Sequence, residues 1–148
     1  PRQSARAVIP TIITQIASGF SSIKLGDLTP TRDLSFVEDT CIALQLLASK
    51  ETLLGEVVNI GSNFEISIHD LVKTIQNLMQ KEIVVISDSQ RIRPEKSEVS
   101  RLWCDNSKLV ELTGFAPRYN LIEGMEKTID WFSQEKNLSQ YKHENYNI

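Results

Sequence analysis

The chain has 148 residues, 41% hydrophobic and 24% charged, with a formal net charge of −3. That is enough for one domain with its own core, and the composition is unlike that of a disordered chain. The acidic balance lacks the basic footprint of a nucleic-acid binder, so no nucleic-acid partner is expected. No apolar run approaches the roughly 20 residues of a membrane-spanning helix, and no signal peptide is present, so the expectation is a cytoplasmic protein without a membrane partner. The chain opens Pro1-Arg2-Gln3 without Met, and reads as a piece of something longer.

Val8, Ile9, Ile12, Ile13 and Ile16 form a helical stripe, with Pro10 in the first turn and Gly19 as the stop. Ser22-Ile23-Lys24-Leu25 alternates like a short strand, closed by Gly26-Asp27. Thr29-Pro30 marks a turn, and residues 31–36 alternate again as an exposed strand or loop. A helix is expected from Val37 to Ser49, with Val37, Cys41, Leu44 and Leu47 on one face and Glu38 and Asp39 in its first turn. The run Glu56-Val57-Val58-Asn59-Ile60-Gly61 predicts a buried parallel strand. Ser67 and Asp70 cap a helix whose stripe is Ile68, Leu71, Val72, Ile75, Leu78 and Met79. Residues 83–86 predict a second buried strand, and 88–105 a long polar loop. A short helix near Asn106–Leu112 stops at Gly114. A longer one, Leu121–Phe132, is capped by Asn120 and Glu123, and a polar, frayed tail follows from Lys136.

Several chemistries have no support. The glycines at 19, 26, 55, 61, 114 and 124 contain no trio spaced for a dinucleotide or phosphate loop. No Tyr-x-x-x-Lys and no nucleophile–base arrangement occurs. His69 and His143 lack cysteine neighbours, so no metal site is expected. Cys41 reads as a small buried hydrophobe. Asp33 reads as a turn ligand, and Glu38 and Asp39 as helix-start charges. What remains is arginine in unusual settings: Arg32 on an extended segment before a helix, and Arg91-Ile92-Arg93-Pro94, where Pro94 holds Arg93 extended. Two guanidinium forks suit a diphosphate, although solvated surface charge is the bland alternative.

In order, the motifs resemble the C-terminal part of extended short-chain dehydrogenases/reductases, the NAD-dependent sugar-nucleotide epimerases and dehydratases. Pro1-Arg2-Gln3 resembles the end of an Asn-x-Tyr-Gly-Pro-Arg-Gln segment, with Val8-Ile9-Pro10 at the helix start that follows. Ile23-Lys24-Leu25-Gly26 resembles the strand beside the nucleobase. Arg32-Asp33-Leu34-Ser35-Phe36-Val37-Glu38-Asp39 is similar to the Arg-Asp-Phe-x-Tyr-Val-x-Asp signature. Val58-Asn59-Ile60-Gly61-Ser62 is similar to a Tyr-Asn-Ile-Gly-Ser strand end. Arg93-Pro94, Ser97-Glu98-Val99 and Asp105 with Lys108 resemble the late Arg-Pro…Asp-x-x-Lys block. Leu112 to Pro117 stands where Leu-Gly-Trp-x-Pro is usual, and Gly124 to Trp131 resembles the closing helix.

The resemblance implies an α/β, incomplete Rossmann-type protein: a C-terminal substrate domain with a few strands and about five helices over residues 1–135, then a polar tail over 136–148. It implies that Arg32 and Arg93 grip the diphosphate of a nucleotide sugar, with a UDP-sugar favoured. Val8, Ile9, Lys24 and Leu25 would pack on or hydrogen-bond the base, and Glu98 would touch the ribose or steady Arg93. Asp39 would be structural and Asn59 a strand-end organiser. NAD and the catalytic Tyr/Lys pair would belong to a preceding half, so no catalytic residue is expected in this chain, which would be inactive alone. The full enzyme would be a homodimer. The wording is nearest to bacterial UDP-N-acetylglucosamine 4,6-dehydratases, with a UDP-hexose 4-epimerase as competitor. A stand-alone, non-catalytic nucleotide-sugar binding module is the alternative from another class.

Overall fold

The first helix (α1, Val8–Ala17) carries Pro10 inside its first turn, where an N–H would have no intrahelical partner. It buries Ile12, Ile13 and Ile16, each worth about 1.5–3 kcal/mol of transfer free energy. The computed structural model describes residues 2–4, 6–89 and 99–141. The remaining strands and α-helices are β1 (Ser22–Leu25), β2 (Thr31–Asp33), α2 (Val37–Ala48), β3 (Glu65–Ser67), α3 (Ile68–Met79), β4 (Val84–Ser87), β5 (Arg101–Leu102), α4 (Ser107–Thr113), α5 (Leu121–Ser133) and α6 (Glu135–Leu138), with a single 3-10 turn at Glu51–Leu53 among the described residues.

Local signals place the long helices. The Ser67 hydroxyl accepts the Asp70 N–H at 3.0 Å and α3 starts there. Asn120 and Glu123 form a complete capping box at α5. Gly114, at φ +68°, closes α4 in the left-handed region.

The strands form two small sheets. β1 pairs in parallel with β4, Ser22 opposite Val84 through Leu25 opposite Ser87. β2 is the centre of a three-stranded sheet, antiparallel to β3 and parallel to β5. The larger core joins α1, α3 and α5 to the inner face of the β1–β4 pair, with Ile23, Leu71, Ile75, Met125 and Phe132 at its centre. A smaller core gathers Ala43, Leu109 and Phe115, with Val58 and Ile60 against it.

Six expectations change. Residues 56–61 pair with no strand among the described residues. Val57 is 81% exposed, and the carbonyls of Val57 and Gly61 are taken instead by Lys108 Nζ at 2.9 Å and Asn106 Nδ2 at 3.0 Å. Cys41 is exposed, along with Val37 and Leu44, because α2 turns Asp39 and Ala43 inward, and position 41 lies about 200° around the helix from 39. Residues 31–36 are not merely an exposed strand or loop, since β2 is half-buried between two partners. Of the tail expected to fray from 136, residues 136–141 are docked, and 142–148 lie outside the described residues: Asn137 is buried and donates to the Trp131 carbonyl at 2.8 Å. The Tyr141 ring stands edge-on to Phe132, and its hydroxyl donates to the Gln3 carbonyl. β4 is mixed, with Ile83 buried just before it and Val84 and Ile86 exposed. The long loop expected over 88–105 contains β5, and its residues 90–98 lie outside the described set.

Candidate functional site

Arg32 occupies the middle of β2, opposite Ile66 on β3 and Leu102 on β5. It is half-buried, and its Nη1 donates to the Thr31 carbonyl at 2.7 Å. Side chains alternate across a sheet, so Arg32 shares a face with Ile66 and Leu102.

The opposite face carries a polar cluster. Arg101 places its fork on Glu65 through Nε at 2.9 Å and Nη2 at 2.5 Å, and Thr31 donates its hydroxyl to the same carboxylate at 2.6 Å. The Arg101 hydrogen bond, helped by Thr31, draws the Glu65 carboxyl down to about 2. The Arg101 guanidinium also stacks on Trp103, 5.3 Å from the ring centre. Arg101 is thus engaged by the protein itself, unlike a fork poised for phosphate.

Asp33, beside Arg32, accepts the Ser62 N–H at 2.8 Å, the Ser62 hydroxyl at 2.7 Å and the Cys104 N–H at 3.4 Å. Burial first, then the charges of Asp33 and Asp105, pushes the Cys104 thiol up. The thiol stays protonated at neutral pH and is a poor nucleophile.

Between the two cores lies a cavity of about 730 Å³. Ile9, Leu34, Ile66 and Met125 line it from the larger core, and Ile60 and Phe115 from the smaller one. Its rim is built around Asp39, only 3% exposed, whose carboxylate accepts the N–H groups of Arg118 at 2.9 Å and Tyr119 at 3.2 Å. Tyr119 packs edge-on against Phe36 at 4.8 Å and donates its hydroxyl to Glu38 at 2.9 Å. That hydrogen bond, with burial, raises the Tyr119 phenol, so it remains a hydrogen-bond donor at neutral pH and is no general base. Among the described residues no group of three His, Cys, Asp or Glu could hold a metal.

Of the residues expected at a binding site, Ile9 lines this cavity, and Arg32 shares its sheet face with Ile66, which lines it too. Val8 is half-buried in the first turn of α1. Lys24 and Leu25 stand on β1, Lys24 exposed and Leu25 buried in the larger core; neither lines the cavity. Arg93 and Glu98 lie outside the described residues. Sequence reasoning missed Phe36, Phe64 and Tyr119 as cavity walls. The aromatic-to-acid spacing at Phe36 and Asp39 was the available signal.

The family described as GDP-mannose 4,6 dehydratase matches residues 1–128. The UDP-N-acetyl-alpha-D-glucosaminuronate decarboxylase of Bacillus cytotoxicus is 29% identical over 132 residues, which is 88% of this chain and 41% of that protein. Among solved structures, an epimerase of Methanothermobacter thermautotrophicus aligns with a TM-score of 0.80 at 26% identity, over 93% of this chain and 40% of that one. The dTDP-glucose 4,6-dehydratase of Bacillus anthracis, solved in complex with NAD, aligns at 0.75 and 26%, over 96% and 43%. The chain therefore spans about two fifths of the length of such relatives. Its α/β fold, with six helices and five short strands among the described residues, is that of part of these Rossmann-type proteins. The chain belongs to the GDP-mannose 4,6 dehydratase family of sugar-nucleotide dehydratases and epimerases.

Proposed function

We propose that residues 1–135 are the nucleotide-sugar-binding part of an NAD-dependent sugar-nucleotide 4,6-dehydratase or epimerase, with a UDP-sugar as substrate. The observation that carries the binding role is Arg32: a half-buried arginine on a strand paired along both edges. A cation held this way loses little further freedom when it meets a phosphate. Arg93, Val8, Ile9, Lys24, Leu25 and Glu98 complete the proposed contact set.

The exposed apolar side chains of Val37, Leu44, Leu54 and Val57 support a second component of the reading. They fit a face covered by a preceding half of the same protein, which would hold NAD and the catalytic Tyr/Lys pair. This chain's glycines provide no dinucleotide turn, so its own share is affinity and orientation. When bound in the other half, the cofactor supplies hydride transfer at the sugar. Of the two reactions, UDP-N-acetylglucosamine 4,6-dehydration is the one we place first for the intact protein, with UDP-hexose 4-epimerisation as its competitor, and we take that protein to act as a cytoplasmic homodimer.

Calorimetric titration with UDP tests the binding role. The Arg32→Ala/Arg93→Ala double variant is expected to bind more than about thirtyfold more weakly than the wild type. Unchanged affinity in that variant refutes the diphosphate assignment. Incubating the intact protein with UDP-N-acetylglucosamine or a UDP-hexose separates the reactions, since a 4-keto-6-deoxy product marks a dehydratase and a C4 epimer an epimerase.

A further inference from the structure

The end of β2 is fastened from behind. Asp33 alternates with Arg32, so its carboxylate reaches away from the arginine's face and meets two segments outside the ladder of its own strand. One is Ser62, through both its N–H at 2.8 Å and its hydroxyl at 2.7 Å. The other is the Cys104 N–H at 3.4 Å, just past β5. A serine hydroxyl has one proton to give. The Asp33 carboxylate at 2.7 Å is a nearer and stronger acceptor for it than the Phe64 carbonyl at 3.2 Å, while the oxygen accepts the Phe64 N–H at 3.2 Å. The hydroxyl is therefore oriented from both sides.

The segment on the far side of this joint is itself fixed. Asn106, 7% exposed, donates to the Gly61 carbonyl at 3.0 Å. A Cβ on Gly61 would overlap Cys104 Cβ, lie 2.6 Å from its Sγ and come within 3.2 Å of Asp33 Oδ2. Residues 61–62 are thus packed closely between Cys104, Asp33 and Asn106. The same segment runs back through Ile60 and Val58, which pack on the smaller core, to Val57, which stands open.

We propose that Asp33, together with Ser62, is a positioning residue for Arg32. The joint registers the guanidinium against the 57–62 segment and α4, so the arginine's place depends on a contact on the other face of its sheet. This rests on the reading of Arg32 as a phosphate ligand. It goes beyond that reading by naming what holds the ligand in place.

The test uses the intact protein and UDP as probe, with melting temperature followed in parallel. Ser62→Ala is expected to lose about tenfold in affinity, as one hydrogen bond to a charged group is removed. Ser62→Thr, which keeps the hydroxyl, is expected to bind as the wild type. Asp33→Asn combined with Arg32→Lys is expected to lose no more than the worse single variant, because one acts through the other. Multiplicative losses in that double variant overturn the proposal. So does wild-type UDP binding by Ser62→Ala and Asp33→Asn while Arg32→Ala fails to bind; in that case the phosphate reading survives. If Arg32→Ala itself binds UDP normally, the phosphate reading falls and the positioning role falls with it. Should Asp33→Asn fold poorly, the Ser62 pair decides the question alone.

Discussion

Replacing Asp39 with alanine removes the acceptor for two backbone N–H groups and leaves a hole at the cavity rim. The carboxylate is 3% exposed and accepts from Arg118 at 2.9 Å and Tyr119 at 3.2 Å. A hydrogen bond to a charged group contributes about 1.5–3 kcal/mol. The second contact is long and Arg118 is exposed, so water can partly replace the lost partner, which puts the pair at about 3 kcal/mol. Residues 114–120 connect α4 to α5, and Asp39 binds their backbone to α2, beside the Tyr119–Glu38 hydrogen bond and the packing of Phe115 with Ala43. The loss should therefore appear first as local opening. Trypsin cuts after Arg118 only when that bond leaves the surface. Where reclosing outpaces cleavage, about 3 kcal/mol becomes a hundredfold faster cut. Asp39→Asn, which keeps one carbonyl oxygen, should fall between. Cleavage of Asp39→Ala within twofold of the wild-type rate would show that the contact contributes little, and that the rim is held by Phe36 and Tyr119 instead.

Two further outcomes follow from contacts on the three-stranded sheet. Arg101, then Thr31, holds the Glu65 carboxyl at about 2, below its ordinary 4.5. A depressed folded-state value stabilises above the unfolded one, so the β3–β5 link is complete above pH 4.5 and is lost as pH falls toward 2. Near-ultraviolet dichroism of Trp103, which lies under Arg101, should report that loss, and Glu65→Gln should flatten the curve across the same window. Gly61→Ala forces a methyl against Cys104 and should cost about 1–3 kcal/mol in a urea titration, with an unchanged midpoint counting against the tight joint.

What the sequence made legible was local. Ser67 and Asp70, Asn120 and Glu123, and Gly114 each set a helix end through neighbours three or four residues away, and all three ends stand where the pattern puts them. The stripe on α2 misled because periodicity says which residues share a face, not which face is covered. Val37, Cys41 and Leu44 are coherent and exposed, and the inward side is chosen by Asp39, whose partners lie about eighty positions away. The 56–61 run has strand composition, but composition supplies no ladder. At 136–138, polarity suggested fraying, yet Asn137 is polar because it is satisfied inside, on the Trp131 carbonyl. The cavity was largely invisible, since Phe36, Phe64 and Tyr119 come from segments that only the fold brings together.

The strand pairings also determine the order in which the chain can be assembled. Ser22 waits for Val84, and Thr31 for Ser67 and then Arg101; among the described residues no ladder joins strands adjacent in sequence by a tight hairpin. Closing such distant loops carries its entropy cost before any pairing repays it, so the capped helices α3 and α5 are the natural early structures and both sheets come late. During synthesis β2 stays without its parallel partner until residue 101 has left the ribosome. Throughout that interval the β-branched run at 57–60 is open to other copies of itself. Slow, concentration-sensitive refolding is the kinetic signature of a sheet whose central strand is completed near the end.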